Sequence, residues 1–180
     1  MAYEDDHLLI RKVAAGDRSA FATLVERYRG SLYRFIVRQV GRPAVADELL
    51  QEVFLRAYRG AGSYEPRAAL ATWLFRIAAN LCLNEVQAAR SRREVMGDIP
   101  DGALQLPNPA EDLERKQVSA AVEAALGRLP PEQRAAVQLA RFEGMSYQEI
   151  AQVLSVSVGA VDGLLQRARQ ALRKQLQHLA

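Results

Sequence analysis

The stretch SYQEIAQVLSVSVGAVDGLLQRARQAL, residues 146–172, carries the most legible chemistry in the chain, and that chemistry is binding. Ile150, Leu154, Val156, Val161 and Leu164 fall where two helices joined by a tight turn would touch, and Ala151 supplies the small residue of a close approach. Ser146 with Glu149 reads as a capping box for the first helix, and Ser157 can cap the second. Ser155 occupies the turn position where glycine is more usual. This is the plan of a helix-turn-helix, although an ordinary helical hairpin would share its packing. In such a motif the start of the second helix reaches base edges and cations further on hold phosphates. The base-facing candidates are Ser157, Val158, Gly159, Ala160, Asp162 and Gly163, and the phosphate candidates Arg167, Arg169 and Arg173. From Glu143 to Asp162 there are three acids and no Lys or Arg, an odd charge for a DNA-reading surface. Gly163 inside a helix costs about 1 kcal/mol against Ala, which suggests a close approach there.

Catalytic and metal chemistry find little support. No nucleophile–base pair, phosphate-cradling glycine loop or metal cluster is visible, so neither an enzymatic activity nor a cofactor is expected. Cys82 is the single cysteine and reads as a small core hydrophobe, while His7 and His178 stand near opposite ends. The N-terminal MAYEDDHLLIRK lacks the apolar region of a signal peptide, and no run approaches membrane-spanning length, so a cytoplasmic protein is expected.

The 180 residues suffice for one medium domain or two small ones, with a net charge of only +3. Charge is unevenly spread. Residues 11–42 hold eight cations against Asp17 and Glu26, residues 67–93 hold five against Glu85, and four cations without an acid follow Leu164. Acids gather at Asp47, Glu48 and Glu52, and again at Glu111, Asp112 and Glu114. Any one run is equally well a solvated helix face.

The elements that must position these groups all read as helices, so an all-α fold is expected. Apolar residues at Phe21, Leu24, Val25, Tyr28, Leu32, Phe35 and Ile36 form one stripe. Gly16, Gly41 with Pro43, and Gly60 punctuate the first half, followed by a loop over AGSYEPR and a long helix with a basic tail. GDIPDGALQLPNPAED, residues 97–112, has three prolines and two glycines and reads as a linker. Helices resume after it, one starting at Pro130–Pro131. Two small helical domains are expected, residues 1–94 and 113–180, joined by an extended linker over 95–112.

At this point a resemblance enters. RLPPEQRAAVQLARFEGMSYQEIAQVLSVSVGAVDGLLQRARQAL resembles the fourth region of a bacterial sigma factor of the extracytoplasmic-function group of the sigma-70 family. GDRSAFATLVERYRGSLYRFI, LLQEVFLRAYR and TWLFRIAANLCLNE independently resemble the second region, in order and spacing. The resemblance implies a factor that binds core RNA polymerase and directs promoter-specific initiation. Its first domain would bind core and read the minus-ten element, and its second would read the minus-thirty-five element.

The implied contacts follow residue by residue. Asp47, Glu48, Leu49, Gln51, Glu52 and Phe54 would meet the clamp helices of the large polymerase subunit, with the polymerase flap as a further partner. Leu49 and Phe54 serve equally as core residues. The loop from Gly60 to Arg67 would capture a flipped base, with Ser63 and Tyr64 as contacts. Arg76, Asn80 and Asn84 recur every four residues on one helix face, where Asn can pair with base edges and Arg with phosphate or guanine. Arg90, Arg92 and Arg93 would track the backbone, and Trp73 reads as core. The acidic linker either mimics RNA charge or is an inert tether. An anti-sigma factor is implied as regulator. Where the family often has G-T-V-(K/R)-S-R, this chain has Gly159-Ala160-Val161-Asp162-Gly163-Leu164, which implies altered promoter preference. A stand-alone helix-turn-helix regulator is a second reading, which leaves the first half unexplained, and a polymerase-binding regulator that has lost promoter reading is a third, supported by the acidic recognition helix alone.

Overall fold

The computed structural model describes residues 2–65, 68–96 and 113–177. The expected linker lies almost wholly outside them. Eight α-helices and one 3₁₀ turn make up the described residues: α1 (Ala2–Ala14), α2 (Arg18–Val40), α3 (Pro43–Gly60), the turn Ala61–Ser63, α4 (Leu70–Met96), α5 (Leu113–Gly127), α6 (Pro131–Arg141), α7 (Tyr147–Leu154) and α8 (Val158–Leu176).

The punctuation residues act for identifiable reasons. Gly16 and Gly41 adopt φ of 87° and 76°, the left-handed conformation in which a side chain is strained, and end α1 and α2. Asp17 starts α2 by accepting from the backbone N–H groups of Ser19 and Ala20, and those bonds hold its carboxyl below the usual range, the bond from the Ser19 hydroxyl contributing most. Pro43 and Pro131 each stand in the first turn of a helix, where the absent N–H leaves nothing unsatisfied.

Helices α1–α4 bury the predicted stripe. Leu24, Leu32, Phe35 and Ile36 are almost completely inaccessible, and Phe35 meets Phe75 of α4 edge-on at 5.4 Å. The second half does not stand apart from the first. One continuous apolar core runs from Ile10 and Leu74 through Ala135, Leu139 and Ile150 to Leu165. Helix α7 packs against α4, and α5 and α6 against α2. Small residues on the facing helices, Ala78 and Ala79 on α4 and Ala151 on α7, allow this approach. At the rim Arg38 of α2 forks onto Glu123 of α5, Nη2 to Oε1 at 3.0 Å, and its guanidinium stacks over the Phe142 ring at 4.3 Å. The two expected domains are therefore closed upon each other.

Cys82 is buried in this shared core, where loss of solvent pushes its thiol up to about 12 despite the nearby Arg134 guanidinium. It is an inert core thiol, as its apolar neighbours suggested.

Candidate nucleic-acid and partner interfaces

The helix-turn-helix is built as its residue types require. Ser146 Oγ accepts from the Glu149 N–H at 3.3 Å, and Glu149 Oε2 accepts from the Ser146 N–H at 2.8 Å, so each residue satisfies an otherwise orphaned donor of α7. Ser155 ends α7 at φ 56° and ψ 42°, a left-handed conformation adopted by a non-glycine residue. Ser157 Oγ accepts from Ala160 N–H at 3.1 Å and starts α8. Ile150, Ala151, Val153, Val161 and Leu165 close the seam between the helices. Val156, expected in that seam, instead stands exposed at the tip beside Val158, because it lies in the turn between α7 and α8.

The surface left free is the one anticipated. Ser157, Val158, Gly159 and Ala160 face solvent, and Asp162 and Gly163 are half-exposed. Asp162 Oδ2 accepts from Gln166 Nε2 at 2.8 Å along the helix, which aligns the carboxylate and leaves its other oxygen available. At Gly163 an added Cβ would stand 3.3 Å from Nη1 of the exposed Arg167 side chain, which lies alongside it. Arg169 Nη2 donates to the Tyr147 hydroxyl at 3.2 Å and braces α8 against α7. Arg173 is exposed near the helix end.

A second surface lies on α3. Ala46, Leu50, Val53, Phe54 and Ala57 turn inward. Phe54 is 7% exposed and meets Phe21 edge-on at 6.5 Å, so it is a core side chain behind the surface and no direct contact. Leu49 is half-buried against the core. The outward face carries Asp47, Glu48 and Gln51, with Glu52 at its border holding Arg56 Nε at 2.6 Å. The apolar residues on that face are Leu55 and Tyr58, each 42% exposed. Residue types had pointed to Leu49 and Phe54 instead. The signal that would have found Leu55 is phase, since it falls four residues after Gln51 and off the stripe that contains Leu50, Val53 and Ala57.

A third surface joins the turn after α3 to α4. Gly60 is required there by contact, because a Cβ would meet the Trp73 ring at 3.2 Å. Ser63 is exposed and its hydroxyl donates to Gly60 O at 3.0 Å. Tyr64 is half-buried, its hydroxyl donating to Ala68 O at 2.7 Å and its ring packing on Trp73 at 5.1 Å. Arg67 lies outside the described residues. Arg76, Asn80 and Asn84 are exposed together along α4, while Leu74, Phe75, Ala78 and Ala79 turn inward. Of the expected backbone-tracking cations, Arg90 reaches Glu94 at 3.1 Å and Arg92 reaches Glu85 at 2.8 Å, beside Arg42 on the same carboxylate at 2.6 Å. Arg93 is exposed. Among the described residues no group of acidic, His and Cys side chains could hold a metal ion, and no helix is long and apolar enough to cross a membrane.

Comparison with known proteins assigns each half of the chain to a family region. Residues 24–92 match the family described as sigma-70 region 2, and residues 119–172 match sigma-70 region 4. The RNA polymerase sigma-H factor of Pseudomonas aeruginosa is 36% identical over 99% of this chain and 97% of its own length. The ECF RNA polymerase sigma-E factor of Escherichia coli is 33% identical over 97% and 95%. Among solved structures, CnrH in complex with the cytosolic domain of CnrY superimposes with a TM-score of 0.72 at 27% identity, covering 97% of this chain and 99% of that one. The sigma factor RpoE bound to the anti-sigma factor NepR from Bartonella quintana shares the fold, with a TM-score of 0.74 at 23% identity over 87% of this chain and 96% of that one. The chain belongs to the extracytoplasmic-function group of the sigma-70 family, factors that bind core RNA polymerase and direct it to promoters without being enzymes themselves.

Proposed function

We propose the following division of labour. Residues 1–94 bind core polymerase and read the minus-ten element, 95–112 link, and 113–180 read the minus-thirty-five element. The polymerase contact is the outward face of α3, with Asp47, Glu48, Gln51 and Glu52 offering charge and Leu55 and Tyr58 the apolar anchor. Acids beside an exposed apolar patch suit a basic helical partner, since charge complementarity sets register and on-rate while the apolar patch supplies affinity. The observation that carries this assignment is the 42% exposure of Leu55 one helical turn beyond Gln51 and Glu52, at the C-terminal edge of the acidic face. Ser63, the loop around Tyr64, and Arg76, Asn80 and Asn84 then meet the melted minus-ten strand. Ser157 to Gly163, with Arg167, Arg169 and Arg173, meet the minus-thirty-five duplex. The site of action is cytoplasmic, and an anti-sigma protein holds the factor inactive, in keeping with the partners of CnrH and RpoE.

The test separates the two faces. Leu55→Asp should lower affinity for core polymerase by at least about tenfold in a binding titration, the loss expected when a central apolar anchor is replaced by a charge. Asn80→Ala should leave core affinity intact and reduce transcription from minus-ten-dependent templates. Unchanged core binding by Leu55→Asp would overturn the α3 assignment.

Both elements lie far apart on DNA. Elements roughly 25 base pairs apart are about 85 Å apart at about 3.4 Å per step, whereas a compact chain of this length has a radius of gyration of about 16 Å. The closed arrangement of α1–α4 on α5–α8 must therefore open for both elements to be held at once.

A further inference from the structure

Helix α1 lies ahead of the segment that matches region 2, which begins at residue 24. It nevertheless packs on the turn that follows α3 as well as on α2. Two adjacent residues make the connection. Asp6 accepts from the Tyr28 hydroxyl at 2.5 Å and pairs with Arg27, which pins α1 to α2. Tyr28 is 8% exposed, and burial followed by the Asp6 bond raises its hydroxyl above the ordinary range, so the donor keeps its proton. The next residue, His7, reaches the loop. Its ring lies 5.8 Å from that of Tyr64, and its Nδ1 is 3.4 Å from the Tyr64 hydroxyl oxygen.

Proton counting fixes the direction of that contact. Tyr64 has one hydroxyl proton, and it goes to Ala68 O at 2.7 Å. The oxygen can only accept from His7, so His7 carries its proton on Nδ1. Tyr64 is thus gripped from three sides: its hydroxyl by Ala68 and His7, its ring by Trp73 at 5.1 Å. Held this way, Tyr64 does not project outward to stack on a base. This anchors residue 64, between Ser63 and Glu65, which stand exposed.

We propose that His7 is a positioning residue for the base-capture loop, acting through Tyr64, and that α1 thereby sets how well the factor discriminates the captured minus-ten base. The inference rests on the minus-ten reading of that loop given above. It differs from a packing role because His7 is only half-buried and touches the loop through a polar atom, while Ile10 and Val13 supply the core contacts of α1.

The experiment uses full-length factor with core polymerase on a template pool randomised across the minus-ten element, read by sequencing the transcripts. His7→Ala should lower discrimination at one position by about three- to tenfold, in keeping with the loss of one hydrogen bond and a ring contact. His7→Asn, which keeps a side-chain donor near the Tyr64 oxygen, should restore most of it. Trp73 is the only tryptophan and touches Tyr64, so its emission in the free protein should shift in His7→Ala and return in His7→Asn. Ser63→Ala serves as the control for the loop itself. If Ser63→Ala alters base preference and His7→Ala does not, the positioning role is wrong and the loop reading survives. If neither alters it, the loop reading fails and takes the inference with it. A His7→Ala loss spread evenly over all positions and accompanied by a lower melting temperature would reduce His7 to a stability residue and overturn the proposal.

Discussion

Removing the Arg38 side chain should bias the molecule toward opening. Arg38 and Glu123 belong to opposite halves, and their side chains are 16% and 18% exposed. Breaking a fully buried pair by deleting one partner costs about 3–5 kcal/mol, and the remaining exposure discounts this to about 1.5–3 kcal/mol. Loss of the guanidinium from the Phe142 ring, 46% exposed, adds about 0.5–1 kcal/mol. The sum, about 2–4 kcal/mol, shifts a closed–open equilibrium by roughly 30- to 1,000-fold. The helices of the two halves remain intact, because Arg38 ends α2 and makes no bond within its own half that the fold requires. The assay is small-angle scattering of the free protein, in which the wild type should give the radius of gyration of a compact body, about 16 Å, and Arg38→Ala a larger one. On the proposed reading the two halves part in the holoenzyme, so Arg38→Ala should also bind core polymerase more tightly. Exchanging the charges, Arg38→Glu with Glu123→Arg, should restore part of the closure. An Arg38→Ala protein that stays compact, melts lower and binds core more weakly would show that the pair supports the fold and does not gate it, refuting the reasoning.

Two further outcomes follow from single residues. Ser155 sits at φ 56°, where a Cβ costs about 1 kcal/mol relative to glycine, so Ser155→Gly should raise stability by about 0.5–1 kcal/mol in urea unfolding despite glycine's larger chain entropy; a destabilised variant would mean that Ser155 does more than turn the chain. Burial raises Cys82 from 9.0 to about 12, so its contribution to stability is intact below pH 9, where the thiol is neutral in both states, and is lost as pH rises toward 12 because only the unfolded state releases the proton. Wild-type stability should therefore fall more steeply than that of Cys82→Ala between pH 9 and 11, by up to about 1.4 kcal/mol per pH unit, and equal slopes would contradict the buried, protonated thiol.

What the sequence made legible was local. The capping box at Ser146 and Glu149, the cap at Ser157, the glycines ending α1 and α2 and the prolines starting α3 and α6 each act within four residues of themselves, and each element appears where those signals put it. Three features needed the third dimension. The phase of α3 decides whether Phe54 or Leu55 is the exposed apolar residue, and that depends on where Phe21 of α2 lies. Arg92 looked available for phosphate, yet a carboxylate seven residues earlier on the same helix engages it. His7 and Tyr64 are 57 positions apart, and no periodicity connects them. Closure of the two halves was likewise hidden. It depends on alanines of ordinary appearance on α4 and α7 and on an ion pair spanning 85 residues.

The acidic start of the recognition helix can now be weighed against the rest of the molecule. Phosphate attraction supplies most non-specific affinity, and each neutralised phosphate adds roughly one unit to the salt slope. On the proposed reading α8 has at most three cations for that purpose. Arg169 is braced on the Tyr147 hydroxyl, while Arg167 lies exposed beside Gly163. A braced cation such as Arg169 forfeits little side-chain entropy on meeting a phosphate. The tip itself offers the methyl groups of Val156 and Val158, which suit thymine methyls, and a carboxylate aligned by Gln166, which suits a cytosine amino group. Such a surface discriminates among sequences while attracting DNA weakly. On the proposed reading a half of this kind needs something else to bring DNA to it, and the other half has the charge for it: residues 11–42 and 67–93 carry thirteen cations against three acids, and net positive charge remains after Arg27, Arg38, Arg42, Arg90 and Arg92 pair with carboxylates. On that reading the weak electrostatics of the second half and the opening of two tethered halves belong to one design, in which the first half and polymerase supply affinity and α8 supplies selection.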